Sequence, residues 1–212
     1  MDGVVRTRVG YAGGNFNNPT YLNLDGHSET IQIDCDPTKV TYEELLQVFW
    51  DSHDPTVHVR SRQYMSIIFY HTNEQRRQAL ESKEREEARL QRSIVTEIIP
   101  FTEFYLAEDY HQKYYLRQES ELLKEFHAIY PGSEDFISST ATAKVNSYVG
   151  GYDTPESLEK ELDSLGLPEA GRDRLLDLNA ASLYPACGTR DLDLLFLSRC
   201  DTADICSAPA GM

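Results

Sequence analysis

The stretch at residues 26–37, GHSETIQIDCDP, is the feature that most constrains how this chain can fold. Ile31, Ile33 and Cys35 alternate with polar residues, and this period of two predicts a half-buried strand. Counting back two residues along the apolar face reaches Glu29. Because an apolar wall disfavours a charged carboxyl, we expect Glu29 to have a raised pKa and to be able to donate a proton. The alternative is a glutamate at the strand end that turns out to solvent.

A second strand is predicted at residues 4–11, where Val5, Thr7, Val9 and Tyr11 alternate with arginine and glycine. Tyr11 shares the apolar face of this strand. A buried phenol hydroxyl needs a hydrogen-bond partner. Tyr11 is therefore either a core residue bonded to the backbone or a polar group of a functional site.

The rest of the chain predicts an α+β fold with the element order β-β-α-β-α-β-α. Capping-box patterns at residues 41–44 and 72–75 each predict the start of a helix. Further strands are predicted at 63–70 and 93–99, and a further helix at 107–128. We predict an α+β domain at 1–130 and a helical extension with a flexible tail at 131–212. Within that extension, residues 142–151 are expected to be a turn-rich link.

The composition excludes several classes of partner. With a net charge of −15, the 212-residue chain is a poor match for nucleic acid or an anionic membrane surface. No apolar run approaches the roughly 20 residues of a membrane span, and the first residues hold no secretory signal. The sparse cysteines predict free thiols in a reducing, cytoplasmic setting, and they are Cys35, Cys187, Cys200 and Cys206.

His27, His53, Asp54 and His58 are residues of types that can bind a metal ion. Their spacings match no standard zinc pattern, in which paired ligands recur at short fixed intervals. We therefore predict no metal.

Six stretches of the chain carry a family resemblance, and they are VGYAGG (9–14), NPTY (18–21), GHSETIQIDCDP (26–37), YEELLQVFWDSHDPT (42–56), RQYMSIIFY (62–70) and AEDYHQKYYL (107–116). In this order and spacing they resemble the A-type peptide methionine sulfoxide reductases. The resemblance covers residues 1 to about 117. It implies a ferredoxin-like mixed sheet with flanking helices, which is the fold of that family.

The resemblance also implies a reaction, the reduction of methionine-S-sulfoxide in proteins by a thiol mechanism. By position in the motifs, Glu29 resembles the family's proton-donating acid, and Tyr11 and Tyr64 resemble its two oxygen-binding tyrosines. A protonated acid with two phenols would stabilise a developing negative oxygen. The family implies no bound cofactor, thioredoxin or another thiol as reductant, and oxidised proteins as substrates. We accordingly expect a monomeric, cytoplasmic repair enzyme that acts under oxidative stress.

One departure concerns the nucleophile, which the family carries in a Gly-Cys-Phe-Trp-Gly motif on a first strand. The 212 residues contain no such motif. Cys35 lies six residues along the strand from Glu29, roughly 20 Å at the rise of a strand, and is interpreted as a core thiol. The family resemblance makes Cys187 a possible recycling thiol, while Cys200 and Cys206 have no assigned role.

We therefore expect a shortened member of the family, either an isoform or an incomplete gene model, that is a poor catalyst or none by itself. The alternative is a non-catalytic methionine-sulfoxide-binding or regulatory protein. A sheet that lacks its first strand is also expected to leave a neighbouring strand with an open edge.

Overall fold

A computed structural model describes residues 2–183 and 202–205 of the chain. These residues form two compact units. The first, here called the sheet unit, comprises residues 2–108 and 202–205, and the second, the helical unit, comprises residues 109–183. The predicted boundary after residue 130 does not coincide with this division.

The sheet unit contains strands and two helices, and these are β1 (Val4–Ala12), β2 (Ser28–Cys35), α1 (Tyr42–Asp51), β3 (Ile67–Tyr70), α2 (Asn73–Leu90), β4 (Glu97–Pro100), β5 (Phe104–Leu106) and β6 (Thr202–Ile205). The helices of the helical unit are α3 (Tyr114–Gln118), α4 (Ser120–Ile129), α5 (Ser133–Ser138), α6 (Thr140–Val149), α7 (Pro155–Glu161) and α8 (Glu169–Leu183). The predicted α+β class is thereby confirmed.

The strands form one mixed sheet in the order β4-β3-β6-β2-β1-β5. β1 is antiparallel to both of its neighbours, β2 and β5. β6 is parallel to β2 on one side and to β3 on the other. Among the described strands, β6 therefore joins the two halves of the sheet. β6 pairs with Ile31–Ile33 of β2, so this part of β2 is not an open edge.

The capping boxes predicted at both helix starts of the sheet unit are confirmed. The Thr41 side chain accepts from the backbone N–H of Glu44, whose carboxylate in turn accepts from the Thr41 N–H. Thr72 and Gln75 make the same reciprocal pair at the start of α2. Each box satisfies two N–H groups that a helix start otherwise leaves without a partner.

α1 buries its apolar face in the main hydrophobic core of the sheet unit. The Trp50 indole N–H also donates to the Ser82 hydroxyl of α2 at 3.1 Å, which gives this buried polar group a partner. The fully or nearly buried members of this core are Cys35, Val40, Leu45, Leu46, Phe49, Trp50, Ile68, Ala79 and Ile94.

The helical unit has a core of its own, which explains why its boundary precedes residue 130. Leu116, Leu122 and Phe126 pack in one cluster with residues from α5 to α8, such as Phe136 and Val145. The segment 107–128, predicted as one helix, begins just after β5 and contains a 3₁₀ turn followed by α3 and α4. The prediction of a turn-rich link at 142–151 is also wrong, because α6 occupies residues 140–149 and buries Val145.

Among residues 2–183 and 202–205, no helix is both long and apolar enough to cross a membrane.

Candidate active site

Tyr11 and Glu29 face each other across the antiparallel pair β1–β2. The register joins Tyr11 directly to Glu29, and opposed residues of neighbouring strands project from the same face of a sheet. Both are buried, since 2% of Tyr11 and 7% of Glu29 is exposed. The structure therefore brings together two of the three predicted site residues, and the solvent-facing alternative for Glu29 is wrong.

The environment of Glu29 favours the neutral carboxyl. Burial raises the pKa of Glu29 above its ordinary value, and a hydrogen bond from Gln63 opposes that rise only in part. The amide Nε2 of Gln63 donates to Oε1 of Glu29 at 2.6 Å. A carboxyl with a raised pKa remains protonated over a wider pH range, which is what a proton donor requires.

Gln63 reaches Glu29 from a 3₁₀ turn at Arg62–Tyr64. Hydrogen bonds to other parts of the sheet unit hold this turn. The Ser28 hydroxyl at the start of β2 donates to the carbonyl oxygen of Arg62 at 2.6 Å, and the Arg62 guanidinium pairs with Glu97 at 2.6 Å. The turn is thereby fixed beside the first residues of β2, and Gln63 is carried with it.

Tyr64 is the third predicted site residue, and it lies on the same turn. The predicted strand at 63–70 is wrong in its first part, because β3 begins only at Ile67. The backbone N–H groups of Tyr64 and Met65 instead bond to carbonyls three residues earlier, which closes the turn. Tyr64 is half-buried. The side chain that bonds to Glu29 is that of Gln63, the residue before Tyr64. The oxygen-binding role of Tyr64 stays a prediction.

The hydroxyl of Tyr11 is bonded to a second carboxyl. It donates to Oε2 of Glu108 at 2.7 Å, and Oε1 of Glu108 accepts the backbone N–H of Tyr21 at 3.1 Å. The Tyr11 hydroxyl thus has a side-chain partner. Because a phenol has one proton, Tyr11 must turn its O–H away from Glu108 before it can donate to another oxygen.

His27 braces the loop that precedes β2. Its Nδ1 accepts the backbone N–H of Gly14 at 3.2 Å, and its Nε2 therefore carries the proton given to the carbonyl oxygen of Phe16, 2.8 Å away. A Cβ at Gly14 would lie 2.3 Å from the imidazole, so this close approach requires glycine. His27 is buried and has a structural role in this loop.

The other candidate metal ligands do not gather around His27. His53 uses both ring nitrogens within the protein, towards the Phe49 carbonyl at 2.9 Å and the Ser66 hydroxyl at 2.8 Å. Within the part of the chain that the structure describes, no three His, Cys, Asp or Glu side chains are arranged to hold a metal ion.

Cys35 lies at the far end of β2 from Glu29 and is buried, as predicted. Its sulfur is disulfide-bonded, so the expectation of a free thiol at this position is wrong. The predicted recycling thiol Cys187 lies outside the described residues, as do Cys200 and Cys206.

Sequence reasoning missed two side chains of this site, Gln63 and Glu108. Both lie within the motifs RQYMSIIFY and AEDYHQKYYL that were singled out. Gln63 makes its contact from a 3₁₀ turn, and Glu108 makes its contact from a position just after β5. Neither position belongs to a periodic pattern. No signal in a single sequence distinguishes these two polar residues from their neighbours.

Comparison with known proteins gives consistent matches. The sequence profile of the family described as peptide methionine sulfoxide reductase matches residues 1–145. The peptide methionine sulfoxide reductase MsrA of Methanothermobacter thermautotrophicus is 50% identical over 125 residues, which are 54% of this chain and 74% of the relative. The peptide methionine sulfoxide reductase of Drosophila melanogaster is 39% identical over 173 residues, which are 80% of this chain and 69% of the relative.

Two solved structures resemble this one. Methionine sulfoxide reductase A of Corynebacterium diphtheriae has a TM-score of 0.52 and 36% identity, over 56% of this chain and 65% of that chain. Mxr1 of Saccharomyces cerevisiae in its reduced form also has a TM-score of 0.52, with 29% identity, over 57% of this chain and 74% of that chain. The match thus spans just under two thirds of the first structure.

Proposed function

Since this chain belongs to the peptide methionine sulfoxide reductase family, we propose that Glu29 protonates the oxygen of a bound methionine-S-sulfoxide while a cysteine thiolate attacks its sulfur. The observation that carries this proposal is the buried Glu29 carboxyl, whose pKa is raised by burial, directly across from Tyr11. A neutral acid in such a place can donate to an acceptor that has no proton of its own.

The proposed step balances as a two-electron exchange. The cysteine thiol is oxidised to a sulfenic acid, and the sulfoxide is reduced to a thioether, with the sulfoxide oxygen passing to the cysteine. A second thiol then forms a disulfide with the sulfenic acid and releases water. The 212 residues hold no Gly-Cys-Phe-Trp-Gly motif, so none of their cysteines is assigned as the nucleophile.

Tyr11 assists in this proposal by donating its hydroxyl to the same oxygen. To do so, it exchanges its hydrogen bond with Glu108 for one with the sulfoxide. Tyr64 is retained as the second oxygen-binding tyrosine, supported by its place beside Gln63 on the 3₁₀ turn. A donor aimed at developing oxygen charge is worth about 10²-fold or more in rate in other enzymes.

The remaining features of the proposal concern partners and location. We propose thioredoxin or a similar dithiol as the reductant, no bound cofactor, and a monomeric protein. A dithiol reductant accords with a cytoplasmic location, because that compartment keeps thiols reduced.

The alternative function is binding of methionine sulfoxide without turnover. Binding and catalysis share the recognition of the sulfoxide oxygen, so only thiol-dependent turnover separates them. Reduction of N-acetyl-methionine-S-sulfoxide with dithiothreitol as reductant supports the enzyme, and binding without any turnover by these 212 residues supports the alternative.

The recognition step is tested by NMR titration of the isotope-labelled chain. N-acetyl-methionine-S-sulfoxide is expected to shift the signals of Glu29 and Tyr11, and N-acetylmethionine, which lacks the oxygen, is expected to bind more weakly. Glu29→Ala should weaken sulfoxide affinity on the order of tenfold, as expected for the loss of one hydrogen bond. Equal affinity for the sulfoxide and the thioether would contradict the proposal.

A further inference from the structure

We propose that Gln63 is a positioning residue, which determines the oxygen of Glu29 that carries the transferable proton. This inference rests on the proposed role of Glu29 as proton donor and deepens it. It is carried by the geometry of one hydrogen bond, from Nε2 of Gln63 to Oε1 of Glu29 at 2.6 Å.

The amide of Gln63 is held at Glu29 by the main chain as well as by its own contact. The Ser28 hydroxyl bonds to the carbonyl oxygen of Arg62, the residue before Gln63, while Ser28 itself directly precedes Glu29. Arg62 is bonded in turn to Glu97 at the start of β4. The turn and the strand are therefore joined next to both partners, which limits how far the amide can move from the carboxyl.

The bond distinguishes the two carboxyl oxygens. An amide NH₂ only donates, so the Oε1 atom that receives it acts as an acceptor. In the neutral acid the proton must then lie on Oε2. A donor fixed on one oxygen therefore leaves the other oxygen as the one that can give a proton to a substrate.

The same bond moderates the effect of burial. Desolvation disfavours the carboxylate of Glu29, and the amide of Gln63 stabilises it. A general acid must be neutral before the reaction, and its anion must be stable enough to form when the proton is transferred. Gln63 supplies a partner to that anion in a site that is otherwise poor in solvent.

The titratable groups on the elements around Glu29 are Tyr11 on β1, His27 just before β2, and Arg62 and Tyr64 on the turn. The hydroxyl of Tyr11 is bonded to Glu108, His27 to backbone groups, and the guanidinium of Arg62 to Glu97. The pKa of Glu29 is moved by burial and by Gln63. Gln63 is therefore the side chain to vary.

The test measures the Glu29 carboxyl pKa by carbon-13 NMR titration of the full chain. Two variants remove the amide donor of Gln63. Gln63→Met keeps the length of the side chain. Gln63→Ala shortens it, so that no bulky side chain replaces the amide in the half-buried turn. The matched control is Gln78→Met, since Gln78 also donates to a glutamate, Glu74, at 2.7 Å but on the exposed face of α2.

We expect the pKa of Glu29 to rise in both Gln63 variants and to stay at its wild-type value in Gln78→Met. An unchanged pKa would overturn the proposal, and so would a lower one, because a lower pKa would mean that the amide oxygen had been accepting from the acid. The measurement needs no turnover. A failure here is therefore distinct from a failure of the proposed function, which the sulfoxide titration reports.

Discussion

Glu29→Ala is expected to lower sulfoxide turnover by about 10²-fold or more in a version of the protein that carries a Gly-Cys-Phe-Trp-Gly segment ahead of Met1. The reason is the loss of a preorganised donor to the oxygen that gains negative charge in the transition state. Glu29→Gln should retain much of the activity near neutral pH, because its amide can still donate a hydrogen bond to that oxygen. The measurement is kcat for N-acetyl-methionine-S-sulfoxide with dithiothreitol.

Glu81→Ala serves as the matched control for this series. Glu81 is an exposed glutamate on α2 whose carboxylate pairs with Arg77, so its removal should leave kcat unchanged. Activity of the Glu29→Ala variant equal to that of the parent would end the assignment of Glu29 as the acid.

Phe69→Ala is expected to destabilise the sheet unit by about 3–5 kcal/mol, the usual cost of removing a buried phenyl ring from a core. Phe69 is 0% exposed on β3 and packs with Ala12 and Ile67. Its ring also packs beneath Gly13, where a Cβ would lie 2.8 Å from it. Urea unfolding followed by circular dichroism measures the change in free energy.

The matched control is Phe16→Ala, which removes the same ring from a position 43% exposed. Phe16 contributes its carbonyl oxygen to His27, and this backbone contact survives the substitution. The control is expected to change the free energy of unfolding far less. A similar loss in the two variants would show that the buried cluster around Phe69 is not what stabilises the sheet.

Patterns between residues close in the sequence were sufficient to predict β2 and the starts of α1 and α2. The period-two alternation of β2 placed Glu29 on the strand face that also carries Ile31 and Cys35. The capping boxes at Thr41 and Thr72 marked the helix starts, because a cap needs only residues three apart in the chain.

Features that depend on distant parts of the chain were not predictable in this way. The apolar residues that follow Tyr64 predict a strand there, whereas the contact between Ser28 and Arg62 holds this segment as a turn. The bond between Tyr11 and Glu108 joins residues 97 positions apart. β6, at residues 202–205, pairs with β2 and β3, which lie more than 130 residues earlier in the chain. The sequences of β2 and β3 contain no signal for that pairing.

The burial of Glu29 beside Tyr11 links the fold to the proposed chemistry. In the proposed mechanism, neutral Glu29 donates a hydrogen bond to the sulfoxide oxygen, whereas its carboxylate would repel that oxygen. Because burial raises the pKa of Glu29, the neutral form extends further towards neutral pH than for a glutamate in water. Sulfoxide affinity should therefore be constant below the folded-state pKa of Glu29 and should fall as pH rises through it.

The most direct test of this account is the dissociation constant of N-acetyl-methionine-S-sulfoxide measured as a function of pH. Above the pKa of Glu29, we expect the affinity to fall by up to about tenfold per pH unit, since one proton is linked to binding. In Glu29→Gln, which does not titrate, the affinity should not vary over the same range. An affinity in the wild-type chain that is independent of pH, or that increases as pH rises, would contradict the assignment of Glu29 as the proton donor.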